Sequence, residues 1–177
     1  RDATTGGVTI GRFGWKGGQP DVKHQSAGAF FDDMGLSTPL KPSHWGECTP
    51  RQKACLQMPH GAQPHLGEEE VPGELLDFVA FYAANLAVPA RRDIDDARVL
   101  AGKKLFHEAR CTTCHVPKYV TRRDAAQPEH AFQLIWPYTD LLLHDMGEGL
   151  ADHRPEGNAT GTEWRTPPLW GMGLVRQ

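Results

Sequence analysis

The chain of 177 residues has only four cysteines, no apolar run long enough to cross a membrane, no excess of either charge and few strand-forming stretches. Each shortage excludes something. The longest apolar segment, LLDFVAFYAANLAV at 75–88, is amphipathic and falls short of the roughly 20 residues that a membrane helix needs. Lysine and arginine number 19 against 22 aspartates and glutamates, a net charge of −3 with no basic block, so nucleic acid is a poor default partner. Scarce strand signals leave an all-α chain with long irregular loops as the expected fold class. No initiator methionine and no signal-peptide pattern open the chain, and no helix stop closes it. The expectation is a fragment whose compartment must be argued from its cysteines.

Glycine (19) and proline (14) are plentiful, and the mean hydropathy is −0.51. Such a chain has a modest apolar core, which suits a fold organised around a large buried cofactor. Its length allows one ordinary domain or two small ones.

Three helices are expected. One lies around QSAGAFFDDMG (25–35). The clearest is GELLDFVAFYAANLAVP, over 73–87, where Leu75, Leu76, Phe78, Val79, Phe81, Tyr82 and Leu86 form a broad apolar face and Pro89 stops the run. The third is DIDDARVLAGKKLFHEA (93–109), with Asp95 as N-cap and Asp96 in the first turn. Gly102 in its middle costs about 1 kcal/mol against alanine, which points to close packing there. A short helical candidate remains at YTDLLLHDMG (138–147). Pro42 to Glu70 reads as a long loop carrying Cys48 and Cys55.

The third helix delivers the chain to Cys111-Thr112-Thr113-Cys114-His115. This is the attachment pattern of c-type haem. Two thiols add to the two vinyl groups of the porphyrin, and the next residue sets an imidazole under the iron. A zinc site would need a second ligand pair at matching spacing, and Cys48 and Cys55 are too far apart in sequence. A thioredoxin-like pair would need a βαβ setting, which is absent. Haem c is assembled outside the cytoplasm, in the periplasm of a Gram-negative cell. That oxidising setting makes Cys48–Cys55 an expected disulfide, worth about 2–3 kcal/mol in the chain-entropy model.

The iron's sixth position is left open by the sequence. Met146 leads, His144 follows, Met172 is further on, and a residue outside this chain is also in play. Arg165 suits a haem propionate, because guanidinium pairs bidentately with carboxylate. Phe106, Trp164 and Trp170 are expected to pack on haem, and Lys118 and Tyr119 to border its edge. The histidines at 24, 44, 60, 65, 107, 130 and 153 show no metal-binding spacing.

Five phrases in order, GRFGWKGGQPDVKHQSAGAFFDDMG (11–35), ELLDFVAFYAANLAVPARRD (74–93), GKKLFHEARCTTCHVPK (102–118), PYTDLLLHDMGEGLADHRPEG (137–157) and EWRTPPLWGMGL (163–174), resemble the bacterial dihaem c-type oxidoreductases. These are relatives of the dihaem cytochrome c peroxidases. The resemblance implies two cytochrome c-like haem domains, each with its own CxxCH. Residues 1–89 would be the C-terminal part of a first domain, with a disulfide-closed loop. Residues 90–177 would be a second domain carrying haem on Cys111, Cys114 and His115 and truncated at its C-terminus. A second haem would belong to the full-length parent. The resemblance also implies roles in the first domain: Trp15 as electron relay between haems, then Gln25, then Asp33 beside Met34 as acid/base on the distal side. Aspartate stands where the peroxidases have glutamate, and the surroundings of Trp15 differ.

The expected function is a periplasmic c-type cytochrome oxidoreductase, peroxidase-like in a dihaem parent. Its electron donor would be a small redox protein or a quinol-linked carrier, and its oxidant a small molecule such as peroxide. The rival is a monohaem electron carrier without catalysis, since one CxxCH is present. A third reading, an enzyme that modifies a partner protein by remote electron transfer through Trp15, shares the same framework.

Overall fold

The computed structural model describes Asp2 and residues 4–174. The chain divides into two compact units, Arg1–Leu86 and Ala87–Gln177. The expectation of an all-α fold is not met. The described residues form three α-helices, α1 Val22–Asp32, α2 Gly73–Ala84 and α3 Ala97–Glu108, together with short 3-10 turns and two small two-stranded sheets. Most of the described chain is loop, and these elements do not confirm the cytochrome c-like architecture expected from the sequence. Among the described residues no helix is long and apolar enough to cross a membrane.

In the first unit, α1 starts at Asp21, whose carboxylate accepts from the His24 N–H at 2.8 Å and lies 2.9 Å from His24 Nδ1. This N-cap sets the helix three residues earlier than the sequence suggested. α1 packs on α2 around Ala27, Val71 and Leu76, with Phe30, Leu36 and Leu40 alongside. Helix α2 ends at Asn85, short of Pro89: the Asn85 backbone N–H reaches Phe81 and Tyr82 carbonyls and its side-chain amide donates to the Phe81 oxygen at 2.7 Å. The asparagine side chain thus ends the helix before the proline is reached.

The long loop between these helices is clasped by one buried pair. Ser37, fully buried, donates from its backbone N–H (2.8 Å) and Oγ (3.0 Å) to Glu70 Oε2, and the Glu70 N–H donates back to Ser37 Oγ at 2.9 Å. Gly61 N–H donates to the other Glu70 oxygen at 2.8 Å. His44 stacks on His60 with ring centroids 4.2 Å apart, and Trp45 meets both edge-on. Cys48 and Cys55 lie at disulfide distance, Cα to Cα 6.0 Å.

In the second unit, α3 is capped by Asp96, which accepts from the Arg98 N–H at 2.7 Å; the expected cap, Asp95, lies outside the helix. Close packing at Gly102 is not found: a Cβ added there would meet nothing within 4 Å. Strand β1, Tyr119–Val120, pairs antiparallel with β2, Leu134–Ile135. Strand β3, Leu143–Asp145, pairs with β4, Glu163–Arg165, in the register Leu143↔Arg165, His144↔Trp164 and Asp145↔Glu163. The helix expected over 138–147 is therefore absent: Leu143–Asp145 is strand and its flanks are irregular. Its local apolar run suited either form, and pairing with a segment twenty residues downstream decided it.

Candidate haem site

Helix α3 ends at Ala109, and Arg110 turns the chain in the left-handed region at φ 59°. Such a conformation costs a non-glycine residue about 1–2 kcal/mol. It redirects the chain into a 3-10 turn at Cys111–Thr113, with Cys114 at its end. In a 3-10 turn side chains three apart eclipse, so the two thiols come to one side. Both are free of disulfide bonds; Cys111 is exposed and Cys114 half-buried. The turn is closed by the His115 N–H donating to the Cys111 carbonyl at 3.0 Å.

The His115 imidazole is held from behind. Nδ1 lies 2.8 Å from the Tyr138 carbonyl oxygen. A carbonyl only accepts, so Nδ1 carries the proton and Nε2 keeps its lone pair for a metal. The Phe106 ring packs 6.0 Å from the imidazole and 5.9 Å from Tyr138. Tyr138 is in turn fixed by its neighbour Thr139, which is buried. The Thr139 N–H donates to Val116 O at 3.1 Å, and Oγ1 donates to Thr166 O at 2.6 Å.

Beside Cys114 stand Asp140 and His144, with their ligand-type atoms all within 4.8 Å of one another. His144 Nε2 lies 2.8 Å from Asp140 Oδ2. Burial pushes the Asp140 carboxyl up, yet hydrogen bonds from Leu142, Thr166 and His144, with the histidine's charge, hold it below the ordinary value. Met146 follows β3 and is half-exposed, its N–H bonded to Thr162 O. Met172 is exposed in a 3-10 turn. Arg165 is partly buried on β4, and burial lowers its pKa; its Nη1 donates to Thr166 O at 3.3 Å. The indole N–H of Trp170 donates to the Trp136 carbonyl, and that of Trp164 to the Leu150 carbonyl.

The first unit holds the other candidates. Trp15 is 71% exposed, so it is not a core tryptophan. Gln25 sits in α1 with its Oε1 buried and without a hydrogen-bond partner. Asp33 caps the far end of α1 and is exposed; its N–H donates to Ala29 O. Eight residues of helix separate Gln25 and Asp33 by about 12 Å along the axis. The structure therefore brings Phe106, Cys111, Cys114 and His115 together and holds Gln25 and Asp33 apart.

These residues fit covalent haem: two free thiols on one side of a tight turn, an imidazole whose tautomer leaves Nε2 as ligand, and an aromatic ring against it. Sequence reasoning missed Tyr138 and Asp140. Tyr138 acts through its backbone, which no side-chain motif reports. Asp140 is four residues from His144, a spacing that sets the two side by side on a helix as well, so this signal was available in the sequence.

Comparison with known proteins places the chain in a family. Residues 3–177 match the family model described as "Di-haem oxidoreductase, putative peroxidase". None of the curated proteins and none of the solved structures compared with the chain matches it. With the family model spanning nearly every residue, the chain belongs to the di-haem oxidoreductase family.

Proposed function

We propose that this chain carries one covalent haem c on Cys111 and Cys114, with His115 Nε2 as the proximal iron ligand, and works in the periplasm as the electron-transfer part of a peroxidase-like oxidoreductase. The observation that carries the reading is the His115 Nδ1–Tyr138 carbonyl bond of 2.8 Å behind a turn with two free thiols. When bound, haem supplies reversible one-electron chemistry at iron. The chain's own residues anchor it by two thioethers, fix the imidazole through Tyr138 and Phe106, and offer Met146 for the sixth position. Arg165 neutralises a propionate, and Trp170 packs at the cofactor's border. The second haem of such a protein is attached through residues outside this sequence; the support is a di-haem family and a single CxxCH.

In the first unit, Arg1–Leu86, Trp15 relays electrons. The unpartnered Gln25 carbonyl accepts a hydrogen bond on the substrate side, and Asp33 moves a proton as peroxide is cleaved. The reductant is a small redox protein or a quinol-linked carrier.

The test is export to the periplasm of a host that attaches haem, followed by a pyridine haemochrome spectrum and intact mass. One thioether-linked haem per chain, lost in Cys111→Ala/Cys114→Ala, is expected. Zinc at the two cysteines, or no haem, overturns the reading. Peroxide turnover by the full-length parent separates it from the plain electron carrier, which is inert to peroxide.

A further inference from the structure

Charge is segregated along the second unit. From Ala97 to Arg123, the stretch that holds α3 and the two cysteines, seven lysines and arginines face one acid, Glu108, a net of +6. From Asp124 to Glu163, eight acids face one base, Arg154, a net of −7. A unit nearly neutral in total thus carries a strong charge asymmetry, with its positive part around the haem-attachment turn. Three of those cations, Lys103, Arg110 and Lys118, are exposed and make no ion pair among the described residues. Others are neutralised locally: Lys104 by Glu108 at 3.6 Å, and Arg122 by Asp124.

The fold brings part of this charge to one concave surface. An open cleft of about 470 Å³ is lined by Lys103 and His107 from α3, by Val116, Pro117 and Lys118 just past His115, and by Trp136 and Tyr138. Lys118 Nζ lies 5.6 Å over the Trp136 ring. Tyr138 is the residue whose carbonyl holds His115, so the cleft backs directly on the proposed proximal ligand. Trp136 is half-exposed, and Val120 and Phe132 nearby in sequence are also exposed. An apolar floor with a cationic rim is the anatomy of a short-lived protein interface.

We propose that this cleft, with Lys103 and Lys118 on its rim, is the docking surface for a small acidic electron carrier. This rests on the haem assignment above and names the chemistry of the partner. Charge complementarity selects the occupant: the carboxylates of an acidic protein meet unpaired cations, while a basic carrier is repelled. On docking, one electron leaves the carrier's reduced centre and enters the haem iron held by His115. The carrier is oxidised by one electron, the iron goes from ferric to ferrous, and no bond forms or breaks.

The experiment uses the haem-loaded protein in stopped flow with two reduced probes, flavodoxin as the acidic carrier and a mitochondrial-type cytochrome c as the basic one. The expected result is a second-order rate for flavodoxin that falls about tenfold or more between ~10 mM and ~500 mM salt, because screening shortens the Debye length from about 30 Å to a few ångströms. Lys103→Glu/Lys118→Glu should slow flavodoxin about tenfold or more at low salt, with the wild-type and variant rates converging at high salt. The same variant should speed the basic probe. Lys53→Glu, in the first unit, should change neither. An unchanged absorption spectrum and unchanged thermal midpoint of the double variant show that it is folded. A flavodoxin rate that ignores both salt and the double substitution, or a basic probe favoured over the acidic one, overturns the docking surface and leaves the haem assignment standing. A chain that takes up no covalent haem overturns the haem assignment and this proposal with it.

Discussion

His115 and Tyr138 are 23 positions apart in sequence, yet the imidazole Nδ1 of one lies 2.8 Å from the carbonyl oxygen of the other. The bond selects the tautomer and aims the ring before any metal is present. Replacing His115 by alanine should leave the thioether-linked haem in place and remove its proximal ligand. The absorption spectrum should shift to a weak-field form, and added imidazole should restore it. A variant with the wild-type spectrum would show that another residue ligates the iron.

Phe106 touches both partners of that bond, at 6.0 Å from His115 and 5.9 Å from Tyr138. It is only half-buried, so Phe106→Ala should cost about 1–2 kcal/mol, below the roughly 3–5 kcal/mol of a fully buried ring. The sharper readout is the iron spectrum, which should broaden as the imidazole gains freedom, while Phe106→Leu should retain most of the wild-type form.

The sixth position separates two neighbours on the same segment. His144 is engaged by Asp140 at 2.8 Å, whereas Met146 is half-exposed. Met146→Ala should abolish the far-red sulfur-to-iron band of the oxidised protein, and His144→Ala should keep it. A wild type without that band, whose low-spin spectrum is lost in His144→Ala and kept in Met146→Ala, would assign the iron to His144.

Glu70 provides a pH test of the first unit. Burial pushes its carboxyl up, but donors from Ser37, Gly61 and the Ser37 hydroxyl, with the charge of His44, hold it below its ordinary 4.5. A carboxylate lowered in the folded state stabilises fully above pH 4.5, and that contribution is lost as pH falls through the folded value. The wild type should therefore lose stability steeply below pH 4.5. Glu70→Gln should be less stable by about 1–3 kcal/mol at pH 7 and show a flatter acid limb in urea titrations.

The Cys48–Cys55 pair closes a short loop far in sequence from the haem turn. Cys48→Ser/Cys55→Ser should lower the stability of the first unit by about 2–3 kcal/mol and leave haem content and spectrum unchanged. A loss of covalent haem in this variant would overturn the independence of the two sites.

The CxxCH motif was legible in the sequence because it is local: Cys111, Cys114 and His115 stand at fixed spacing, and the turn joining them spans five residues. The helices were legible for the same reason, with errors of a few residues where a side chain took a cap or a carbonyl. Asp96 capped α3 in place of its neighbour Asp95, and Asn85 ended α2 before Pro89. What the tertiary structure alone decided depends on partners distant in the chain. The segment 143–145 became a strand because Glu163–Arg165 lies beside it. The tautomer of His115 rests on a backbone carbonyl 23 residues away. Asp140 reached Cys114, and Gln25 was left with a buried carbonyl and no partner. Periodicity and motif spacing report on neighbours within a turn or two of chain, whereas these contacts arise only when the loops between them close.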